Sequence, residues 1–279
     1  MNRQLGIGSV VGGYRLLRRL GEGEHGAVFL AQDAGGWVAL KIVALPPDPA
    51  NPARAAFVQG AEIARGLAHP GIVGLAAAGI EGDIGWLAME PVPGSDLVRY
   101  TRSPRLLPLP IVQRLGQRVA EALGYAHERG VVHRDIKPAN VLVDWPADIV
   151  KVADFGLARS AASPRTETGV ILGSPAYMAP ELLAGEAPTP RSDLYALGVM
   201  LYQLLSGHLP HEAQTMGELL RQVAQTPAPD LALLRPDLPP HVTALVAAML
   251  AKRAADRPAE ARQIAQVLAA ARPGTQDSP

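Results

Sequence analysis

The chain has 279 residues, with 26 basic and 26 acidic side chains and a formal net charge of zero, so no global field favours nucleic acid or an anionic membrane. It has no cysteine, which excludes disulfides, thiolate metal sites and thiol catalysis. No stretch of about 18 apolar residues occurs, so no segment spans a bilayer, and the longest apolar segment, Leu194 to Leu205, carries Gln203 and reads as a buried helix. The length is sufficient to bury a sizeable core, in one large domain or two lobes. The N-terminal MNRQLGIGSVVGG is broken by glycines and lacks an apolar signal region. The expectation is a soluble cytoplasmic protein, which a longer natural gene would weaken.

The first ~90 residues read as strands with one helix. Tyr14–Leu20 alternates and is followed by a glycine turn, then Ala27–Gln32. A turn at Gly35-Gly36 precedes a third strand, Trp37–Val43. LPPDPANP is a loop, and Arg54–Leu67 is alanine-rich and helical, ended by His69-Pro70-Gly71. Short apolar runs follow at Ile72–Ile80 and Ile84–Met89. From Leu97 onward helix dominates: Ile111–Arg129, Asp193–Ser206, Met216–Ala224, His241–Ala251 and Ala259–Ala270. The pattern gives an α+β molecule, with a small β-rich lobe joined near Glu90–Gly94 to a larger helical one.

Gly21-Glu22-Gly23-Glu24-His25-Gly26-Ala27-Val28 lies between two predicted strands. Glycines let a hairpin backbone close over phosphates, with N–H groups as anion donors. A plain glycine hairpin reads the same way. A dinucleotide fold would place a helix next, where Ala27–Gln32 reads as strand. The segment His133-Arg134-Asp135-Ile136-Lys137-Pro138-Ala139-Asn140 brings a carboxylate, an amine and an amide within six positions, and Asp154-Phe155-Gly156 begins 14 residues after Asn140. Phosphoryl transfer from a nucleotide to a hydroxyl needs such a set: a carboxylate for the hydroxyl proton, a cation for the phosphate and oxygen ligands for Mg²⁺. Any one of these residues could be a turn residue; four at these spacings are not a chance arrangement. Only four lysines stand against 22 arginines. Lys41 lies in Val38-Ala39-Leu40-Lys41, Lys137 in the loop above and Lys151 just before Asp154, on the strand leading into that motif, whereas Lys252 has no such context and reads as a surface residue.

In family order and at family spacing, these motifs resemble the eukaryotic-like, bacterial-type serine/threonine protein kinases, from about Tyr14 to about Ala271. The resemblance implies a bilobal kinase domain over 14–271, with an N-lobe at about 14–89, a hinge at 90–94, a C-lobe at about 95–271, and flexible termini at 1–13 and 272–279. It implies ATP with Mg²⁺ or Mn²⁺, and protein substrates carrying Ser or Thr. It implies no nucleic acid, and a homodimer for autophosphorylation in trans. Lys41 would hold the α- and β-phosphates, Asp135 would be the base, Lys137 would neutralise the γ-phosphate, and Asn140 and Asp154 would ligate the metal. A lysine at 137 points to the Ser/Thr branch. Gly21, Glu22, Gly23, Glu24, His25 and Gly26 would cover the phosphates, His25 itself being a solvated loop-tip side chain. Met89 would be the gatekeeper; the Glu90 carbonyl and the Val92 amide would bind adenine. Val28, Ala39 and Leu142 would sandwich the ring. Asp96 would bond ribose, or cap the turn before Leu97.

By the same resemblance, His133 and Phe155 pack in a hydrophobic spine, and Arg134 pairs with a phosphorylated activation loop. Thr166 and Thr168 resemble autophosphorylation sites, a solvated polar loop being the alternative, with Ser163 and Ser174 nearby. Ser174 would orient Asp135. Ala179-Pro180-Glu181 closes the segment, with Glu181 paired to Arg257 and Asp193 anchoring the catalytic loop. The departure lies on the small-lobe helix. Counting back nine residues from His69 puts the family's lysine-pairing glutamate at Gly60. Glu62, two residues on, is rotated by about 200° and should point away from Lys41. Two readings therefore stand: an active kinase, or a pseudokinase that binds nucleotide as a scaffold. A small-molecule phosphotransferase would not need the Ala-Pro-Glu docking segment.

Overall fold

The computed structural model describes residues 5–23, 26–155 and 175–270. A six-stranded antiparallel sheet has the order β1-β2-β3-β4-β6-β5. Its strands are β1 (Val10–Val11), β2 (Tyr14–Gly23), β3 (Gly26–Asp33), β4 (Gly36–Ala44), β5 (Leu75–Glu81) and β6 (Ile84–Met89). Helix α1 (Pro52–Arg65) joins β4 to β5. The helix begins two residues before the expected Arg54, because Asn51 accepts from the Ala53 amide at 3.0 Å and Pro52 occupies the first helical position.

Residues 8–11 pair with the start of β2. Gly8 and Leu16 exchange backbone bonds with the strand partner segment (Gly8 N to Leu16 O and Leu16 N to Ser9 O, both 2.8 Å), and β1 adds to the sheet edge. Gly12, at φ 59°, lets the Trp86 ring lie directly on the backbone and donates its N–H to Glu81.

The sheet has two buried faces. Leu16, Phe29, Ala31, Leu40 and Ala88 form one core with Tyr14 and Val11. On the other face, Phe57 and Ala61 of α1 pack on Leu87, with Met89 and Val43 beside them.

The second lobe begins with a small three-stranded sheet, β7 (Ser95–Asp96), β8 (Val141–Asp144) and β9 (Ile149–Val152), of which the sequence reading marked only the strand that carries Lys151. Its strands are two to four residues long, too short for alternation to register. The helices are α2 (Leu109–His127), α3 (Pro180–Leu183), α4 (Pro190–Ser206), α5 (Met216–Gln225), α6 (Leu231–Leu234), α7 (Pro240–Met249) and α8 (Ala261–Ala270). Helix α4 is the axis of this lobe and is buried without a break from Ser192 to Leu205. Its start is fixed by a Thr189/Ser192 capping box and Pro190, and its end by Gly207 at φ 83°. Gln203, the one amide in that apolar run, accepts from the Tyr177 hydroxyl and so is satisfied.

The lobes meet along the chain at the α1–β5 turn and the hinge. Val73 N donates to Val152 O at 2.9 Å, Val152 N to Gly71 O at 2.8 Å, and Glu90 N to Gly74 O at 2.9 Å. The strand β9, which leads to Asp154, is thereby tied to the small lobe.

Helix α1 approaches the sheet over Gly85, where a Cβ would lie 2.7 Å from the Phe57 ring. Gly85→Val should therefore push α1 off β6 and cost about 1–3 kcal/mol, as overpacking does. Thermal denaturation reads this as a Tm several degrees lower; an unchanged Tm would refute the close approach.

Candidate active site

Register assembles the upper wall. Val28 pairs with Lys41, Lys41 with Leu87, and Ala39 with Met89. Strand side chains alternate, so Val28, Ala39, Lys41 and Met89 share one face. It is also the face that α1 covers. Lys41 is buried, and its Nζ lies 2.6 Å from Asp154 Oδ2, its only ion-pair partner among the described residues. On α1, Gly60 is buried and Glu62 is exposed, so the helix presents no carboxylate inward at that turn.

The glycine hairpin closes as strand, with Gly21 opposite Val28, Glu22 opposite Ala27 and Gly23 opposite Gly26. Gly26, at φ 125°, would place a Cβ 2.0 Å from the Ile42 carbonyl oxygen, so no side chain fits there. Glu22 is exposed and ion-paired to Arg19. Glu24 and His25 lie outside the described residues.

The hinge runs from Met89 through Glu90 and Pro91 to the half-buried Val92. The Glu90 carboxylate is itself engaged, 2.5 Å from Lys151 Nζ, a pair the sequence reading did not anticipate. Scarcity of lysine was the signal that Lys151 had a specific task. Asp96, Leu142 and Lys151 are successive partners across the small sheet and lie on one face of it. Asp96 Oδ1 accepts from the Val98 amide at 3.0 Å, the turn-capping arrangement.

The lower wall is organised by Asp193, which is fully buried on α4. Its carboxylate accepts from the backbone N–H of His133 at 2.8 Å and of Arg134 at 2.7 Å, and bonds His127 Nε2 at 2.8 Å. Arg134 sits at φ 73°, a left-handed conformation that costs a non-glycine residue about 1–3 kcal/mol and persists only when surroundings fix it. His127, at the end of α2, is a third member of this anchor, and the sequence reading missed it. His133 Nε2 meets the Ala153 carbonyl at 2.8 Å, and its ring makes an edge contact with Phe155 at 4.5 Å.

This loop gathers the polar side chains. Asp135 Oδ2 lies 2.8 Å from Lys137 Nζ and accepts from Asn140 Nδ2 at 2.9 Å, and the same amide donates to the Asp135 carbonyl at 2.7 Å. Ala153 N donates to Asn140 O at 2.8 Å, which sets Asp154 beside the loop, at φ 67°. Asn140 spends its N–H₂ on Asp135 and Asp154 spends Oδ2 on Lys41, so among the described residues Asn140 Oδ1 and Asp154 Oδ1 remain as hard oxygen donors of the kind Mg²⁺ takes. The arrangement can position a hydroxyl at Asp135 and neutralise an anion with Lys137 and Lys41.

Residues 156–174, with Ser163, Thr166, Thr168 and Ser174, lie outside the described residues. Beyond them, Glu181 forms a two-pronged ion pair with buried Arg257, at 2.7 and 2.8 Å, and accepts from Ser192 Oγ at 2.8 Å. Arg257 also donates to the carbonyls of Arg191, Ala251 and Lys252 and lies 4.9 Å from the centre of the Tyr195 ring. Lys252, read as a surface residue, is instead half-buried against α5.

The family model described as protein kinase domain matches residues 14–269. The serine/threonine-protein kinase PknJ of Mycobacterium tuberculosis is 39% identical over 97% of this chain, which spans 47% of that protein. PrkC of Bacillus subtilis, also a serine/threonine-protein kinase, is 34% identical over 87% of this chain, which spans 38% of it. The chain thus spans less than half the length of these curated relatives. The crystal structure of the Mycobacterium tuberculosis PknI kinase domain matches with a TM-score of 0.75 at 32% identity, covering 95% of this chain and 99% of that one. The bilobal fold is that of the kinase domain.

Burial pushes the Glu181 carboxyl up, but the bonds from Arg257, its own backbone amide and Ser192 outweigh burial and hold it below 4.5. A carboxyl whose folded pKa is depressed stabilises fully above its unfolded value and loses that contribution as pH falls through the folded one. Lowering the pH from about 4.5 downward, through the depressed folded value, should therefore lower the Tm of the native protein more than that of Glu181→Gln, which has no charge to lose. Parallel Tm–pH curves for the two would refute the depressed value.

Proposed function

We propose that this chain, which belongs to the protein kinase domain family and to its bacterial-type serine/threonine branch, transfers the γ-phosphate of ATP to Ser and Thr hydroxyls of proteins. The observation that carries the reading is the joint set of Asp135, Lys137, Asn140 and Asp154, held by mutual bonds at the interlobe cleft. Asp135 takes the proton of the attacking hydroxyl. Lys137 and Lys41 offset the phosphate charge, a matter of positioning and electrostatics more than of covalent chemistry. Asn140 Oδ1 and Asp154 Oδ1 would hold Mg²⁺ or Mn²⁺, which supplies charge neutralisation to the phosphates. The side chains of Val28, Ala39 and Leu142 enclose the adenine, Met89 closes the back, and the Glu90 carbonyl and Val92 amide bond its edge. The substrates are proteins, and autophosphorylation in trans within a homodimer falls on Thr166 or Thr168. A cytoplasmic location belongs to the same reading; among the described residues no helix is long and apolar enough to cross a membrane.

Gly60 does not remove the base or the metal ligands. It changes how Lys41 is held: among the described residues by Asp154 alone, a residue that would also serve the metal. Incubation with labelled ATP and Mg²⁺, followed by phosphosite mapping, tests transfer directly, with Asp135→Asn as the inactive control. Asp154→Ala should abolish transfer, because it removes both the metal oxygen and the partner of Lys41; turnover at the native rate would refute the site. Gly60→Glu should raise kcat/KM for ATP by about two- to tenfold, since a carboxylate facing Lys41 positions the ammonium and the change adds about 1 kcal/mol of helix propensity. Glu62→Ala should leave the rate unchanged. Loss of transfer in Glu62→Ala with no gain in Gly60→Glu would show that Glu62 is the working partner.

A further inference from the structure

Among the described residues, two ion pairs join the small lobe and hinge to segment 151–154: Lys41 with Asp154 at 2.6 Å and Glu90 with Lys151 at 2.5 Å. The first belongs to the candidate site; the second touches none of its polar set. Glu90 Oε1 is shielded from water and has no hydrogen-bond partner among the described residues, so the contact with Lys151 is what offsets its burial. Lys151 Nζ has little else to hold, since the Ile72 carbonyl lies 3.5 Å away, at the outer limit for a hydrogen bond. The two side chains depend on each other.

The backbone is fixed on both sides of this pair. Glu90 N donates to Gly74 O at 2.9 Å, Val73 N to Val152 O at 2.9 Å and Val152 N to Gly71 O at 2.8 Å, so the hinge and β9 hang from the same short segment, 71–74. Between Lys151 and Asp154 each residue is held. Val152 is held by those bonds, and Ala153 by its N–H to Asn140 O at 2.8 Å and by its carbonyl, which meets His133 Nε2 at 2.8 Å. On the other side, Ala39 of β4 pairs with Met89, and Lys41 lies two residues along the same strand. The contacts therefore close a ring, from Glu90 through Lys151 and Asp154 to Lys41 and back through Ala39 and Met89. The ring borders the candidate nucleotide site. Lys41 and Asp154 are the members that phosphates and metal would engage, so Glu90 and Lys151 are the pair left to keep the ring shut.

We propose that the Glu90 and Lys151 side chains are positioning groups that set the span between the adenine edge and Asp154, an inference that rests on the nucleotide reading above. A ligand held at both the hinge and Asp154 gains from the two contacts together only if the protein keeps their spacing. The backbone bonds to segment 71–74 leave the hinge free to pivot about that segment. The ion pair crosses the pivot and removes that freedom. In this arrangement neither side chain touches the nucleotide. Breaking the pair leaves each local contact in place and spoils their spacing. Affinity then falls for a ligand that reaches both ends and persists for one that reaches the hinge alone.

The test is binding, by calorimetry, to the native chain, to Lys151→Met and to Glu90→Gln, with ATP plus Mg²⁺ as one probe and adenosine as the other. The Kd for ATP with Mg²⁺ should rise about three- to tenfold in each variant, and the Kd for adenosine by less than about twofold. An unchanged ATP affinity in folded Lys151→Met would overturn the proposal. So would an equal loss for adenosine, which would reduce the pair to support of the hinge. Exchanging the charges, Glu90→Lys with Lys151→Glu, should bring the ATP value back to within about twofold of native. A folded exchange variant no better than the single changes would also overturn the proposal, and if that variant does not fold, the ratio of the two probes decides. Because both readouts are binding, a native chain that binds ATP and transfers no phosphate counts against the proposed function alone.

Discussion

The catalytic loop depends on one buried carboxylate. Asp193 is inaccessible to water and accepts from two consecutive backbone N–H groups, those of His133 and Arg134, and from His127. A buried charge survives only when its lone pairs are filled. Here filling them forces Arg134 into a left-handed turn. That turn aims Asp135 and Lys137 toward Asn140 and brings His133 to the Ala153 carbonyl, one residue before Asp154. The rigidity of α4 therefore reaches Asp135 and Lys137 through two peptide groups. Burial of α4 along 14 consecutive residues, Ser192 to Leu205, is what makes it a fixed reference.

The small lobe works under a looser constraint. Its helix is placed by Phe57 against Gly85, and the face it covers includes Lys41. With Gly60 at the inward turn, packing reaches the lysine but charge does not. Lys41 therefore turns to Asp154, across the lobes. The two lobes share a charged contact at the proposed nucleotide site, where one carboxylate would serve both the metal and the lysine. The second interlobe pair, Glu90 with Lys151, fixes the hinge to the strand that leads into Asp154. Both contacts couple the relative setting of the lobes to the position of one side chain.

The far side of the large lobe is organised around a second buried charge. Arg257 is surrounded by Glu181, three backbone carbonyls and the Tyr195 ring, and so ties the end of the activation segment to α4 and to the loop after α7. Lys252 extends this set to α5. Its ammonium donates to the Val223 and Gln222 carbonyls in the last turn of α5 and meets His211 Nε2, so it caps that helix.

The sequence by itself determined the long elements and the identity of the polar set. Short apolar runs marked β2 to β6 and longer helical segments marked α1, α2, α4, α5, α7 and α8, with ends within three residues of those observed. Asp135, Lys137, Asn140 and Asp154 were legible because their spacing along the chain is itself the motif, and Gly60 because a helix converts a residue count into a direction. Apart from the Glu181–Arg257 pair, which the family resemblance implied, only the tertiary structure decided which charges meet. Glu90 and Lys151 are 61 positions apart, His127 and Asp193 66, and Lys41 and Asp154 113, and no local pattern links such pairs. The β7–β8–β9 sheet is too short for periodicity to reveal, and Lys252 looks like any exposed lysine until α5 and His211 close over it. Local propensity fixes which segments form; pairing and burial depend on distances between segments, which arise only when the chain packs.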